Sequence, residues 1–184
     1  AKQLNITQSD LESLTDTLSH RGPDDRGVYI DNHIGLGHRR LSIIDLSGGK
    51  QPIFNESRTM CIVFNGEIYN YRELRAELEA KACKFKTNSD TEVLLKAYIE
   101  WGERILARLN GIFSFAVYDK REQCLFMARD RFGIKPLFYS FDGARLAFAS
   151  TVSAIMTVPW VKKEISNETI FTFLKFSHIP SPAS

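Results

Sequence analysis

The spacing of apolar residues changes repeatedly along this chain, and the order of the changes is the strongest constraint on its fold. A helical stripe at residues 9–18 precedes strand-like runs over residues 28–64, and helical spacing follows over residues 71–109. Short aromatic-rich runs return at residues 112–148, before a last helical pattern at residues 166–176. Strands and helices grouped in this way predict an α+β domain rather than alternating βαβ units. Two mostly antiparallel sheets between helices, a four-layer αββα sandwich, would use every segment.

The ends of the helices carry recognisable capping residues. We expect Ser9 or Asp10 to cap the first helix, and Ser89 with Glu92 to form a capping box at the start of another. Ser166 precedes the last helix, and the Pro-containing residues 177–184 that follow it are unsuited to a helix.

Turn residues separate the strand-like runs. Residues 31–33 predict a hairpin turn. Strands are expected at residues 60–64 and, as a shorter strand-like piece, at residues 41–44. The later runs predict a single meander of four strands over residues 112–118, 123–128, 136–140 and 145–148.

Composition excludes several classes of protein. The 184 residues include 43% apolar residues, which suffices for the core of one domain. The 24 basic and 22 acidic side chains are interleaved, so the sequence predicts no nucleic-acid surface. No apolar stretch is long enough for a bilayer and no secretory signal is visible, so we expect no membrane partner and a cytoplasmic location. Three cysteines without CxxC spacing fit a reduced compartment.

The dipeptide Asn65-Gly66 follows an apolar run and precedes a helical pattern. Alone, it indicates a tight turn or corner more strongly than a site. The same two residues can nevertheless bind an oxyanion, because the Asn amide and the N–H of a residue without a side chain are donors that can converge on one oxygen.

Four stretches resemble the glutaminase domain of glutamine-dependent asparagine synthetases, a class II glutamine amidotransferase domain of the N-terminal-nucleophile hydrolase type. They are HRGPD at residues 20–24, RLSIID at 40–45, FNGEIYN at 64–70 and ARDRFGIKPLFY at 128–139. Each is weak alone, but their order within one domain-sized chain is a specific signature. The resemblance covers residues 18–149.

This resemblance implies that an N-terminal cysteine thiolate attacks the side-chain amide of L-glutamine, with its own α-amino group as base, and that ammonia leaves. Asn65 and Gly66 match the oxyanion hole. Arg40 matches the residue that binds the substrate carboxylate, for which a planar guanidinium is suited. Glu67 and Asp90 match the residues at the α-ammonium, although an acid in the first turn of a helix is also favoured by the helix dipole. Leu41, Ser42, Ile43 and Ile44 match the strand whose backbone lines the pocket.

Other residues in the matched stretches are expected to support the site. Arg21, Arg129 and Asp130 are interpreted as structural residues that form buried ion pairs or hydrogen bonds. His20 lies in a matched stretch and His38 just before one, but no histidine has a partner at metal-ligand spacing, so we predict no metal and no cofactor in this domain.

The sequence departs from the family at its start, where AKQLN stands in place of a cysteine followed by glycine and an apolar strand. We therefore expect residues 1–176 to form the amidotransferase domain without its first strand and without the nucleophile, so that the chain as written is inactive. Residues 177–184 are expected to begin a linker to a C-terminal ATP-dependent synthetase domain, which would bind ATP and magnesium.

Thr151 and Ser153 replace charged residues that asparagine synthetases usually carry, which leaves the acceptor substrate open. Aspartate is the leading acceptor. The alternatives are a noncatalytic glutamine-binding or scaffolding homologue and the amidotransferase domain of another synthetase-like enzyme, such as one for aminosugars or purines. The oligomeric state also stays open, with a homodimer as one candidate.

Overall fold

The computed structural model describes residues 6–41, 49–164 and 166–179. The strands in chain order are β1 (Asp25–Ile30), β2 (Gly35–Arg40), β3 (Ile53–Phe54), β4 (Met60–Ile68), β5 (Gly111–Asp119), β6 (Cys124–Arg129), β7 (Phe138–Phe141) and β8 (Leu146–Ala149). The helices are α1 (Gln8–Asp16), α2 (Tyr71–Ala80), α3 (Asp90–Trp101), α4 (Val152–Met156) and α5 (Asn167–Phe176), with a 3₁₀ helix at Gly102–Ala107. No helix within the described ranges is both long and apolar enough to cross a bilayer.

A four-stranded antiparallel sheet with the order β3-β4-β5-β6 forms the centre of the protein. Alternate residues of β4 face its two sides, as the strand pleat requires. Ile62 and Ile68 pack with apolar residues of α2 and α3, whereas Cys61 and Val63 pack with Leu36 of β2. The core therefore lies on both faces of the central sheet.

The β1-β2 hairpin covers the second face of the central sheet, and α1 covers the hairpin. Leu36 of β2 faces the central sheet, while at Gly37, its neighbour, an added Cβ would overlap the hydroxyl of Thr15 in α1. Helices α2 and α3, the central sheet, the hairpin and α1 thus stack in that order. The predicted α+β class, with helices and antiparallel sheets, is confirmed.

Two of the sequence predictions about strands are wrong. Asn65 and Gly66 are not a corner: they continue β4, where they pair with Ser114 and Phe113 of β5. The strand continues because Gly66 has no Cβ, which would otherwise overlap the carbonyl oxygen of Ile112. The predicted single meander also divides, because β5 and β6 join the central sheet while β7 and β8 form a separate two-stranded sheet.

The predicted helix caps are partly right. Ser89 caps α3 by accepting from the N–H groups of Thr91 and Glu92, and Ser166 caps α5. The Glu92 carboxylate accepts instead from the N–H groups of Lys86 and Thr87, so the expected reciprocal box does not form. Helix α1 is capped by Thr7 rather than by Ser9 or Asp10, with Asp10 closing a box back to Thr7.

Candidate active site

A cavity of ≈ 570 Å³ opens where the end of β2, the last residues of β4 and the first turn of α3 come together. Three separate segments of sequence therefore contribute to one cavity. The residues that line the cavity include Arg40, Leu41, Asn65, Gly66, Glu67 and Asp90, which are all the predicted site residues that the structure describes. The predictions for Ser42, Ile43 and Ile44 fall outside the described residues.

The cavity-facing edge of β4 carries main-chain groups that β5 does not use. In an antiparallel pair, opposite residues alternate between exchanging two hydrogen bonds and exchanging none. Phe113 directs its N–H and C=O to Asp130, away from β4. Its partner Gly66 therefore directs its own N–H and C=O away from β5, toward the open edge at the cavity. An N–H in this position can stabilise negative charge on a substrate oxygen.

Among the described residues, side chains rather than a neighbour strand bind the main chain along most of this edge. Strand β3 pairs with β4 only at Ile62 and Cys61. At Phe64 the carboxamide of Gln51 takes over: its Oε1 accepts from the Phe64 N–H at 2.6 Å and its Nε2 donates to the Phe64 carbonyl at 3.0 Å. His38 Nε2 donates to the same carbonyl at 3.0 Å. At Ile68 the N–H donates to the carboxylate of Asp90 at 3.1 Å. Gly66 lies between these two fixed positions.

Asp90 presents a buried carboxylate at the cavity. Its side chain lies in the first turn of α3 and is 7% exposed. Burial raises the pKa of this carboxyl above its ordinary value, and the nearby Glu67 carboxylate raises it further, whereas hydrogen bonds from the Ile68 and Thr91 N–H groups oppose the increase. Two acidic groups near one wall create a negative potential that favours a bound cation.

Arg40, at the end of β2, lines the same cavity and brings positive charge to it. Gly49 lies directly against its guanidinium, because a Cβ at Gly49 would overlap the guanidinium nitrogen Nη2. The preceding residue, Arg39, anchors the loop before β1 by donating to the carbonyl groups of Gly22 and Pro23 and by pairing with Asp16. The cavity lining thus includes both cationic and anionic side chains, which an amino acid zwitterion requires.

Two members of the stretch at residues 128–139, Arg129 and Asp130, form hydrogen bonds that hold its backbone, as predicted. Asp130 is buried and accepts hydrogen bonds from the N–H groups of Phe113, Phe132, Ile134 and Lys135. These bonds hold the pKa of Asp130 below its ordinary value against the opposing effect of desolvation. Arg129 donates to the carbonyl groups of Lys135 and Gly133. Arg21 differs, since it is exposed and lines the cavity.

Among the described residues no cysteine lines the cavity. Cys61 is buried in β4, where desolvation raises the pKa of its thiol to about 12, and Cys83 and Cys124 are unpaired and lie elsewhere. The described ranges also contain no group of three or more His, Cys, Asp or Glu side chains that could hold a metal ion.

Sequence reasoning missed two residues that shape this site, His38 and Gln51. A signal for His38 existed, because strand alternation places it on the same face of β2 as Leu36 and Arg40. No comparable signal identified Gln51, which lies in a loop before the short strand β3.

Comparisons with known proteins agree with this geometry. A family model described as a glutamine amidotransferase domain matches residues 2–184. Asparagine synthetase [glutamine-hydrolyzing] 3 of Bacillus subtilis is 46% identical over 166 residues, which cover 89% of this chain and 27% of that protein. Asparagine synthetase B [glutamine-hydrolyzing] of Escherichia coli is 41% identical over 152 residues, which cover 82% of this chain and 27% of that protein. The chain thus spans about a quarter of the length of these relatives.

A solved structure shares the fold at low sequence identity. The glutamine phosphoribosylpyrophosphate amidotransferase from B. subtilis matches with a TM-score of 0.65 at 23% identity, over 81% of this chain and 40% of that one. The family match over nearly the whole chain and the relatives above 40% identity assign the sequence more closely than this likeness of fold. The chain belongs to the family of glutamine amidotransferase domains, of the kind found in glutamine-hydrolysing asparagine synthetases.

Proposed function

We propose that this domain hydrolyses L-glutamine to glutamate and ammonia within a longer protein, in which an ATP-dependent synthetase domain uses the ammonia to form an amide. The observation that carries the proposal is the convergence of Arg40, Asp90 and the open edge at Gly66 on one cavity. These groups match the three polar parts of glutamine: its carboxylate, its ammonium and its side-chain carbonyl.

Each end of the substrate has a complementary partner. Arg40 binds the α-carboxylate through two parallel hydrogen bonds, and the side chains of Asp90 and Glu67 attract the α-ammonium. The side-chain amide then reaches the edge of β4, where the Gly66 N–H and the Asn65 carboxamide donate to its carbonyl oxygen. Binding both charged groups distinguishes glutamine from a simple amide.

The reaction proceeds through a thioester. A cysteine thiolate forms a bond to the amide carbon, and the carbonyl electron pair moves to the oxygen, where Asn65 and Gly66 stabilise the charge. The intermediate collapses, the C–N bond breaks, and the nitrogen takes a proton and leaves as ammonia. Water attacks the thioester in the same way and releases glutamate and the thiol.

The thiol in this proposal comes from outside the described residues. The segment that carries it would have to reach the cavity that Gly37 and His38 of β2 and Ser150 line. In the family, the cysteine is N-terminal and its α-amino group is the base.

The acceptor is proposed to be aspartate, since the relatives above 40% identity include several named as asparagine synthetases. ATP and Mg²⁺ would bind in the synthetase domain. Thr151 has a structural use in this chain, because its hydroxyl caps α4 by accepting from the Ala154 N–H at 3.2 Å. Thr151 differs from the residue that asparagine synthetases usually carry there, but its role as a helix cap does not depend on the acceptor substrate.

The experiment is a measurement of glutamate release from glutamine by the full-length protein, followed by an amide-transfer assay with ATP and aspartate. We expect release that disappears when the cysteine nucleophile is replaced by alanine. Binding of glutamine by calorimetry without any release would instead favour a noncatalytic glutamine-binding homologue, and release with no asparagine formed would reject aspartate as the acceptor.

A further inference from the structure

We infer that His38 and Gln51 are positioning residues for the oxyanion-binding edge of β4, acting through the carbonyl group of Phe64. The inference rests on the proposed glutaminase function. It assigns a reaction-specific role to two residues that line the cavity and act through a main-chain peptide group.

The Phe64 carbonyl receives two donors. Gln51 Nε2 and His38 Nε2 both lie 3.0 Å from its oxygen, and Gln51 Oε1 simultaneously accepts from the Phe64 N–H at 2.6 Å. Gln51 is 8% exposed, so these bonds form away from bulk water and hold the peptide firmly.

The position of this carbonyl explains why two donors matter. Residues two apart in a strand direct their main-chain groups to the same edge, so the Phe64 C=O and the Gly66 N–H are neighbours on the edge at the cavity. An uncompensated carbonyl oxygen would place partial negative charge beside the point where the tetrahedral oxyanion forms. Two donors withdraw that charge and prevent the peptide from turning toward the hole.

The chemistry of His38 suits this task. A carbonyl oxygen can only accept, so the ring carries its hydrogen on Nε2. Burial lowers the pKa of His38 to about 4, with a smaller effect in the same direction from Arg40 and an opposing one from Asp25. The ring is therefore neutral at pH 7 and remains a donor there without adding a competing charge beside Arg40.

An uncompensated Phe64 carbonyl would repel the negative charge that develops in the transition state, but it would repel the neutral substrate amide far less. It would therefore destabilise the transition state more than the bound substrate. His38 and Gln51 should thus influence kcat and leave KM for glutamine nearly unchanged. If the two residues were purely structural, replacing them would lower the free energy of unfolding without lowering kcat selectively over KM.

The other end of the same strand offers a matched control. Asn55 accepts from the N–H groups of Thr59 and Met60 at 2.9 and 3.0 Å, so it also fixes β4 through a side-chain amide, but it does not line the cavity. Asn55→Ala removes a comparable main-chain anchor far from the oxyanion hole.

The test compares glutamate release and thermal unfolding in the full-length wild type and in His38→Met, His38→Gln, Gln51→Glu and Asn55→Ala. His38→Met removes the donor and should lower kcat about tenfold, with KM within threefold of wild type. His38→Gln places an amide Nε2 near the position of the lost ring nitrogen and should restore most of kcat. Gln51→Glu keeps the acceptor but replaces the donor by a carboxylate, and it should also lower kcat. Asn55→Ala should keep the wild-type kcat.

Wild-type kcat in both His38→Met and Gln51→Glu would overturn this inference while leaving the proposed function intact. A loss in His38→Met that His38→Gln does not restore, or one accompanied by an equal rise in KM, would also overturn it. If His38→Met does not fold, the comparison of kcat between Gln51→Glu and Asn55→Ala decides whether the inference holds. No glutamate release by the wild type would overturn the proposed function and this inference with it.

Discussion

The two ends of β4 solve the same structural problem with different consequences. At its start, Asn55 and the pairing with β3 fix Met60 and Cys61 in an ordinary edge of the sheet. At its end, no strand among the described residues pairs with this edge, and Gln51, His38 and Asp90 bind the backbone at Phe64 and Ile68. Gly66, between these positions, lines the cavity and directs its main-chain groups away from β5. The comparison shows how side chains can fix the edge of a sheet on both sides of a residue whose backbone faces a cavity.

The largest effect is expected for Asn65→Ala at the functional end. Loss of one oxyanion donor should lower kcat of the full-length protein by about 10²- to 10³-fold, because the charge on the tetrahedral intermediate loses about 3 kcal/mol of stabilisation. Steady-state glutamate release measures this effect. Unchanged release would show that Asn65 does not face the reacting carbonyl.

The next effect is a dependence of stability on pH, and it comes from His38, which binds the end of β4 at Phe64. The pKa of His38 falls from 6.5 to about 4 in the folded state, so the unfolded chain binds more protons between these values. Stability from this ring is fully present above pH 6.5 and is lost as the pH falls toward 4, by on the order of 3 kcal/mol. Denaturant unfolding of wild type and His38→Gln across this range measures the difference. Parallel pH profiles for the two proteins would contradict a buried neutral histidine.

A smaller effect is expected for Arg40, which lines the cavity. Arg40→Lys keeps the charge but loses the two parallel hydrogen bonds to a carboxylate, so KM for glutamine should rise tens-fold, or about 2 kcal/mol. The kinetic assay can be paired with calorimetry of glutamine binding. An unchanged KM would remove Arg40 from the binding site.

The smallest effect belongs to the structural end. Asn55→Ala removes hydrogen bonds to the Thr59 and Met60 N–H groups and should lower the free energy of unfolding by about 1–2 kcal/mol. Thermal or denaturant unfolding measures this cost. A larger loss of glutaminase activity than of stability would mean that the two ends of β4 are not independent.

The sequence predicted the elements better than their arrangement. Helical spacing identified α2, α3 and α5, because each has an apolar stripe or a capping residue that acts over a few positions. Asn65-Gly66 was misread as a corner because local turn propensity competes with pairing to β5, which only the fold specifies. The division of the predicted meander has a similar cause, since turn residues do not say which sheet the next strand joins.

For the site, residues with a distinctive chemistry were easier to predict than those that hold them. Arg40, Asn65, Gly66 and Glu67 lie in the matched stretches, Asp90 follows the helix cap Ser89, and all five line one cavity in the structure. Gln51 could not be found in this way, because its role depends on a contact with Phe64 that joins a loop to a strand 13 residues away. His38 lies two residues before a matched stretch, yet only its 3.0 Å contact with Phe64 separates it from an ordinary core histidine.

The most direct test is a crystal structure of the full-length protein, with its cysteine nucleophile replaced by alanine, in complex with glutamine. The account predicts the α-carboxylate on Arg40, the ammonium beside Asp90, and the side-chain carbonyl oxygen about 2.7–3.1 Å from the Gly66 N and Asn65 Nδ2 atoms. Glutamine bound elsewhere, or with its side-chain amide directed away from the edge of β4, would contradict it.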